Sequence, residues 1–199
     1  MATHAWDEGR WTNPPAAVHQ DGTDLIVTAV AGSDAWRITS YGFTHDTEHA
    51  LLVPFAAPGA MEVTFVAALP ELYDQAGIFI RASDTLWIKA GVERADGLPQ
   101  VGAVVTNQRS DWSLAPVPDW DGRLVTIRAS RAGDAITLRA RVDDEPFRLI
   151  RVVPLDPALA LEAGPFTCAP TRAGLAVRFT SWTTSDADAA LHGDSDLDV

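Results

Sequence analysis

The chain predicts an all-β protein built as a two-sheet antiparallel β-sandwich of the jelly-roll kind. Three observations carry this. About ten to thirteen short segments alternate apolar and polar residues with period two. Gly, Pro and Asp turns separate them. No stretch of useful length keeps a helical period, and no internal repeat is visible. A barrel is the lesser alternative.

The elements follow in order. Residues 1–9 read as a loose lead-in, and Arg10–Pro15 as an extended segment ended by two prolines that cannot donate to a ladder. Asp21-Gly22-Thr23 turns the chain into Leu25–Val30, a strand rich in β-branched residues. After Gly32-Ser33-Asp34, Ala35–Thr39 is a short strand carrying Trp36 and Arg37. Tyr41–His49 reads as a solvated loop. His45 and His49 are four apart, but Gly42 and its polar neighbours oppose a helix and no third ligand is fixed by spacing, so no metal is expected. Leu51–Phe55, interrupted by Pro54, belongs at an edge or an end. Met61–Val66 alternates cleanly.

Gln75–Arg81 and Trp87–Glu93 come next, joined by the turn-like Ser83-Asp84-Thr85, and predict an antiparallel hairpin. Ala76, Ile78, Ile80, Ile88, Ala90 and Val92 form its core face. The other face mixes Gln75, Phe79, Arg81, Trp87, Lys89 and Glu93 with Gly77 and Gly91. Aromatic and charged side chains beside glycines suit a shallow polar binding surface. Gln100–Thr106 is the next strand, followed by the polar loop Asn107–Ser113. Arg123–Ser130, Ala135–Val142 and Phe147–Val153 form a meander whose solvated side carries Arg128, Arg139, Arg141, Arg148 and Arg151. One helical turn is expected within Asp156–Gly164 and a last strand at Leu175–Phe179, with Trp182 packed beneath it. The domain is therefore read as 10–183, and 184–199 as a disordered acidic tail.

Composition narrows the function. With 47% apolar residues the chain is globular. Its formal charge of −12, without a basic stripe, opposes nucleic acid or an anionic membrane as partner. No apolar run spans a bilayer, and Met1–Arg10 does not read as a signal peptide. With Cys168 alone, the expectation is a cytoplasmic protein, monomer or homodimer. One lysine, Lys89, stands against fourteen arginines. A bias toward arginine makes this exception informative, because arginine and lysine differ in shape and donor geometry. Lys89 marks a position where a compact ammonium is required.

The segments Tyr73–Gly77, Trp87–Glu93, Val105-Thr106 and Ser110–Ser113, together with Trp11–Pro15, Trp36-Arg37, Gly164-Pro165 and Ala173–Leu175, resemble the DUF1349 family, the regulation-of-enolase-like proteins. The resemblance covers roughly Arg10–Thr183. It implies a concanavalin A-like lectin/glucanase sandwich but no defined reaction. Similar domains are attached to some β-xylosidases.

That fold hosts sugar binders and glycoside hydrolases alike. The close Glu-x-Asp run of its hydrolases is missing here, which opposes retaining hydrolysis on one strand. The leading expectation is a non-catalytic site for a carbohydrate or sugar-derived metabolite on the concave sheet face, with no cofactor. Lys89, Glu93, Gln75, Arg81, Asp74, Asp111 and Arg37 supply polar contacts, and Trp87, Trp112 and Trp36 the stacking surface. Two alternatives stand beside it. One is a hydrolase using Asp74 and Glu93, which the hairpin brings to similar heights. The other is a regulatory protein-interaction module in carbohydrate metabolism.

Overall fold

The computed structural model describes residues 1–191. Its strands in chain order are β1 (Ala2–Thr3), β2 (Arg10–Trp11), β3 (Ala17–Asp21), β4 (Asp24–Thr28), β5 (Ala35–Arg37), β6 (Thr44–Asp46), β7 (His49–Pro54), β8 (Gly59–Val66), β9 (Gln75–Ser83), β10 (Leu86–Ala95), β11 (Leu98–Asn107), β12 (Arg109–Pro116), β13 (Leu124–Ala132), β14 (Ala135–Val142), β15 (Arg148–Pro154), β16 (Glu162–Cys168) and β17 (Ala176–Ser185). One sheet runs β15-β14-β13-β8-β17-β4-β3, with β1 added to β17. The other runs β12-β11-β10-β9-β16-β7-β2. The two stack as the sandwich that the alternation predicts. Between them lies one core, drawn from Met61, Val63, Phe65, Val125, Ile127, Ile136 and Leu138 on one side and Ala76, Ile78, Ile80, Ile88, Ala90 and Val92 on the other. The strands beyond those expected are β1, β3, β6, β12 and β16: β1 and β6 are too short to show a period, while β12 runs through the segment read as the polar loop Asn107–Ser113.

The expected hairpin is β9–β10, in the register Ile80↔Ile88, Ile78↔Ala90 and Ala76↔Val92. The inner strands of the seven-stranded sheet are buried on both faces. Away from the main core, Phe79, Trp87, Val104, Phe166, Ala50, Leu52 and Cys168 form a second cluster with Ala35 and Trp36. The cover is the hairpin β5–β6, which pairs Trp36 with His45. The segment read as a solvated loop is thus half of a roof. Two-sided burial explains why β7 and β9 read as nearly unbroken apolar runs.

Several expectations need correction. The lead-in 1–9 is docked: Ala2 pairs with Thr184, Trp6 stacks on Trp182 at 6.1 Å, and its Nε1–H donates to the Thr23 carbonyl. The tail expected from residue 184 begins in β17. Further on, Asp188 accepts from Arg128 at 2.8 Å and from Arg139, which removes these arginines from open solvent. The rest of the expected tail, 192–199, lies outside the described residues. The helical turn expected after Asp156 is a non-helical turn, with Asp156 accepting from the Ala158 N–H. A 3-10 turn forms instead at Pro118–Trp120.

Gly77, Gly91 and Gly102 are aligned across β9, β10 and β11. A Cβ on Gly91 would lie 2.0 Å from the Ala76 carbonyl oxygen, and one on Gly77 equally close to that of Ala90. The space these glycines leave is filled by the neighbouring backbone, not reserved for a ligand. Backbone in a close-packed sheet cannot rotate aside as a side chain can. Gly91→Ala is expected to destabilise the protein by about 2–4 kcal/mol in urea denaturation. A change near zero would show that the row is not tightly packed.

Candidate ligand-binding site

The outer face of the seven-stranded sheet is ordered in rows across its strands. One row is Phe79, Lys89, Val104 and Trp112; the next is the glycine row, ending at Leu114; the next is Gln75, Glu93, Gln100 and Pro116. Lys89 and Glu93 therefore stand on either side of a strip without side chains on the central strands. The roof closes over this strip. Ile38, Ser40 and Gly42 take positive φ values of 67°, 61° and 77°, which turns the chain sharply between β5 and β6. The turn brings Tyr41, Phe43 and His45 over the sheet.

Beneath the roof is a cavity of about 340 Å³, a size typical of small-molecule sites. Trp36, Tyr41, Phe43, His45, Tyr73 and Trp112 form its walls, and Asp34, Gln75, Lys89 and Glu93 its polar groups. The aromatic rings brace one another. Tyr41 stacks on Phe43 at 5.3 Å, Phe43 meets His45 edge-on at 4.7 Å, and Trp36 meets Tyr41 and Trp112 edge-on. The Trp36 Nε1–H donates to the Thr39 carbonyl. A recess of about 20 Å³ continues along Gly91 and Gly102.

Lys89 is 4% exposed. Its ammonium donates to Asp34 Oδ1 at 2.9 Å and to Gln75 Oε1 at 2.7 Å. Gln75 is fixed in turn by donating to the Tyr73 carbonyl and to Asp34. Asp34 also accepts from the Ala35 N–H, which starts β5. Burial pushes the Lys89 ammonium down, but Asp34, with smaller help from Cys168 and Glu93, holds it above its ordinary range. The contrast with Glu93 is sharp. Among the described residues its carboxyl has no side-chain or backbone hydrogen-bond partner and no ion pair.

Half of the expected site residues meet here: Lys89, Glu93, Gln75, Trp112 and Trp36. The others do not. Arg81 and Trp87 line a separate polar cleft with Asp46, Glu48 and Asp84, where Arg81 pairs with Asp84. Asp74 is fully buried, and its carboxylate accepts from Arg172 Nη2 at 2.7 Å and from the Glu71 N–H at 3.1 Å. It does not line the cavity, so the Asp74/Glu93 acid pair is not assembled there. Asp111 pairs with Arg151 on the surface. Arg37 contributes its backbone N–H, held by Ser110 Oγ at 2.9 Å. The sequence reading missed Asp34, Tyr41, Phe43, His45 and Tyr73. The density of aromatics between Trp36 and His45 was the available signal. His49 uses both ring nitrogens on backbone, at Val30 N–H and the Asn13 carbonyl. Among the described residues no group of His, Cys, Asp and Glu gathers to hold a metal, and no helix is long and apolar enough to cross a membrane.

Fold and site together define a two-sheet antiparallel β-sandwich with a roofed, aromatic-walled cavity on one sheet. The family model "Protein of unknown function (DUF1349)" matches residues 11–187, and the chain belongs to that family. It is 34% identical over 186 residues to Regulation of enolase protein 1 of Saccharomyces cerevisiae, covering 93% of each chain. A crystal structure of a functionally unknown protein from Saccharomyces cerevisiae superposes with a TM-score of 0.87 at 32% identity, over 94% of this chain and 100% of that one. A xylan β-1,4-xylosidase from Bacillus halodurans shares the fold, with a TM-score of 0.64 at 12% identity. The match takes in 82% of this chain and 33% of the xylosidase.

Burial pushes the Glu93 carboxyl from its ordinary 4.5 to about 7; Lys89 pulls it down and Asp34 pushes it up. The raised folded value means that the folded protein keeps a proton which the unfolded chain has already lost. Stability therefore falls as pH rises from about 4.5 through about 7, and the full penalty stands above that. Glu93→Gln removes it. Urea denaturation should find the variant more stable by about 1–3 kcal/mol at pH 8, with the gain vanishing toward pH 4.5. A gain equal at both pH values would contradict the assignment.

Proposed function

We propose that the protein binds a carbohydrate or sugar-derived metabolite in the roofed cavity and acts by binding, not by catalysis. The supporting observation is the pairing of aromatic walls with an unpartnered carboxyl on the floor. Sugar rings present apolar C–H faces that stack on Trp and Tyr, while their hydroxyls need convergent acceptors and donors. Trp112, 39% exposed at the rim, supplies an accessible stacking surface. Glu93 and the floor amide Gln75 supply hydrogen bonds. The removal of Asp74 from the cavity lining weighs against a two-carboxylate hydrolase. The yeast relative's name concerns regulation, which supports a binding role read out by another protein. The xylosidase lends support only through its fold.

The test is a titration with monosaccharides, disaccharides and sugar-derived metabolites, followed by tryptophan emission. A binding sugar should shift the emission of Trp36 and Trp112. Trp112→Ala should weaken affinity about tenfold, the loss of one stacking partner, and leave the melting temperature within about 2 °C, since this rim side chain is outside both cores. A wild-type protein silent across the whole panel would overturn the reading.

A further inference from the structure

We infer that the cavity selects a sugar bearing a protonated amine, which seats its ammonium against Glu93 and the aromatic walls and leaves sugar phosphates excluded. This rests on the sugar-binding reading above and narrows it. The cavity's one lysine or arginine side chain, Lys89, is already matched by Asp34 at 2.9 Å and Gln75 at 2.7 Å. An anionic ligand would have to break that buried pair, and breaking one costs far more than a surface contact returns. Arg37 and Arg81, the nearest arginines in sequence to the roof and floor, are not part of the lining. A phosphate therefore meets no free lysine or arginine in the lining.

A cation meets the opposite situation. Glu93 is the unmatched acid of the lining, and burial keeps it largely protonated below neutral pH. An ammonium placed beside it would stabilise the carboxylate and release the proton. Trp36, Tyr41, Phe43, Tyr73 and Trp112 line the same cavity, and aromatic rings attract an ammonium seated over their faces. The titratable and charged groups around Glu93 come from several elements. They are Lys89 on the same strand, Asp34 ahead of β5, His45 on β6, Tyr73 ahead of β9 and Cys168 on β16. Lys89 and Asp34 compensate each other, which leaves Glu93 as the group whose charge follows the ligand.

The experiment is calorimetry at pH 6.5 with glucose, galactose and mannose, their 2-amino derivatives and their 1- and 6-phosphates. Each is measured in two buffers of different ionisation heat. At least one amino sugar should bind at least tenfold more tightly than its parent, with proton release, and both phosphates more weakly than the parent. Glu93→Gln, isosteric with the protonated acid, should abolish both the preference and the proton release. A phosphate or parent sugar that binds as tightly as the amine overturns this inference and leaves the sugar-binding reading standing. So does an amine preference that survives in Glu93→Gln. Silence of all these sugars overturns this inference, and the sugar-binding reading falls with it only where the wider sugar panel above is silent too.

Discussion

The buried pair of Lys89 and Asp34 joins two parts of the chain that secondary structure alone does not connect. Lys89 is mid-strand on the inner strand β10; Asp34 begins the two-stranded roof, which belongs to neither large sheet. Burying both charges carries a desolvation cost that Coulomb attraction only partly offsets. The pair is therefore poorly explained as a source of stability. It is better explained as a constraint on position. A lysine surrounded by hydrophobic cover has one acceptable carboxylate, and satisfying it sets where β5 begins and how high the roof stands. Gln75 completes the ammonium's coordination from the neighbouring strand.

With the roof set, the cavity follows from the sheet. Rows of side chains on β9–β12 stand on both sides of a glycine strip, so the floor is low between Lys89 and Glu93. Trp36, a member of the cluster around Phe79 and Phe166, carries the aromatic row on to Trp112, while Tyr41 and Phe43 stack beside it as cavity walls. Serine ties the far side: Ser110 Oγ accepts from the Arg37 N–H and is itself bonded to Thr106, so β5 is held to the β11–β12 hairpin as well. The result is a rigid aromatic enclosure with one acid left without a partner. Two other buried charges are satisfied internally. Asp74 is taken by Arg172, and Arg131 donates to the Phe55 and Leu159 carbonyls to secure a loop.

Much of the fold was legible because period two is local. The β9–β10 register could be read directly, since a one-residue slip would bury Lys89 and Glu93 in the main core. Lys89 itself was legible as a compositional exception. What the sequence did not disclose is where its charge goes. Asp34 is 55 residues away and sits in a Gly-Ser-Asp turn that looks like any surface turn. Arg172 meets Asp74 across 98 residues, and no local pattern predicts such a match. Residues 1–9 seemed loose because two-residue strands have no period. Their anchor is Trp182, at the opposite end of the chain. The second apolar face of β9–β10 was read as a binding surface because Trp87 and Phe79 stood among charges; half of that face is core beneath the roof.

The central claim is that Lys89 and Asp34 hold the roof in place. Amide hydrogen exchange on Lys89→Met tests it most directly, because each segment reports separately. Losing one partner of a buried pair should leave Asp34 unmatched, and the amides of β5 and β6 should then exchange about 100-fold faster or more. The amides of β8, β13 and β14, in the opposite sheet, should keep their relative protection. Roof amides that exchange at the wild-type rate would contradict the account.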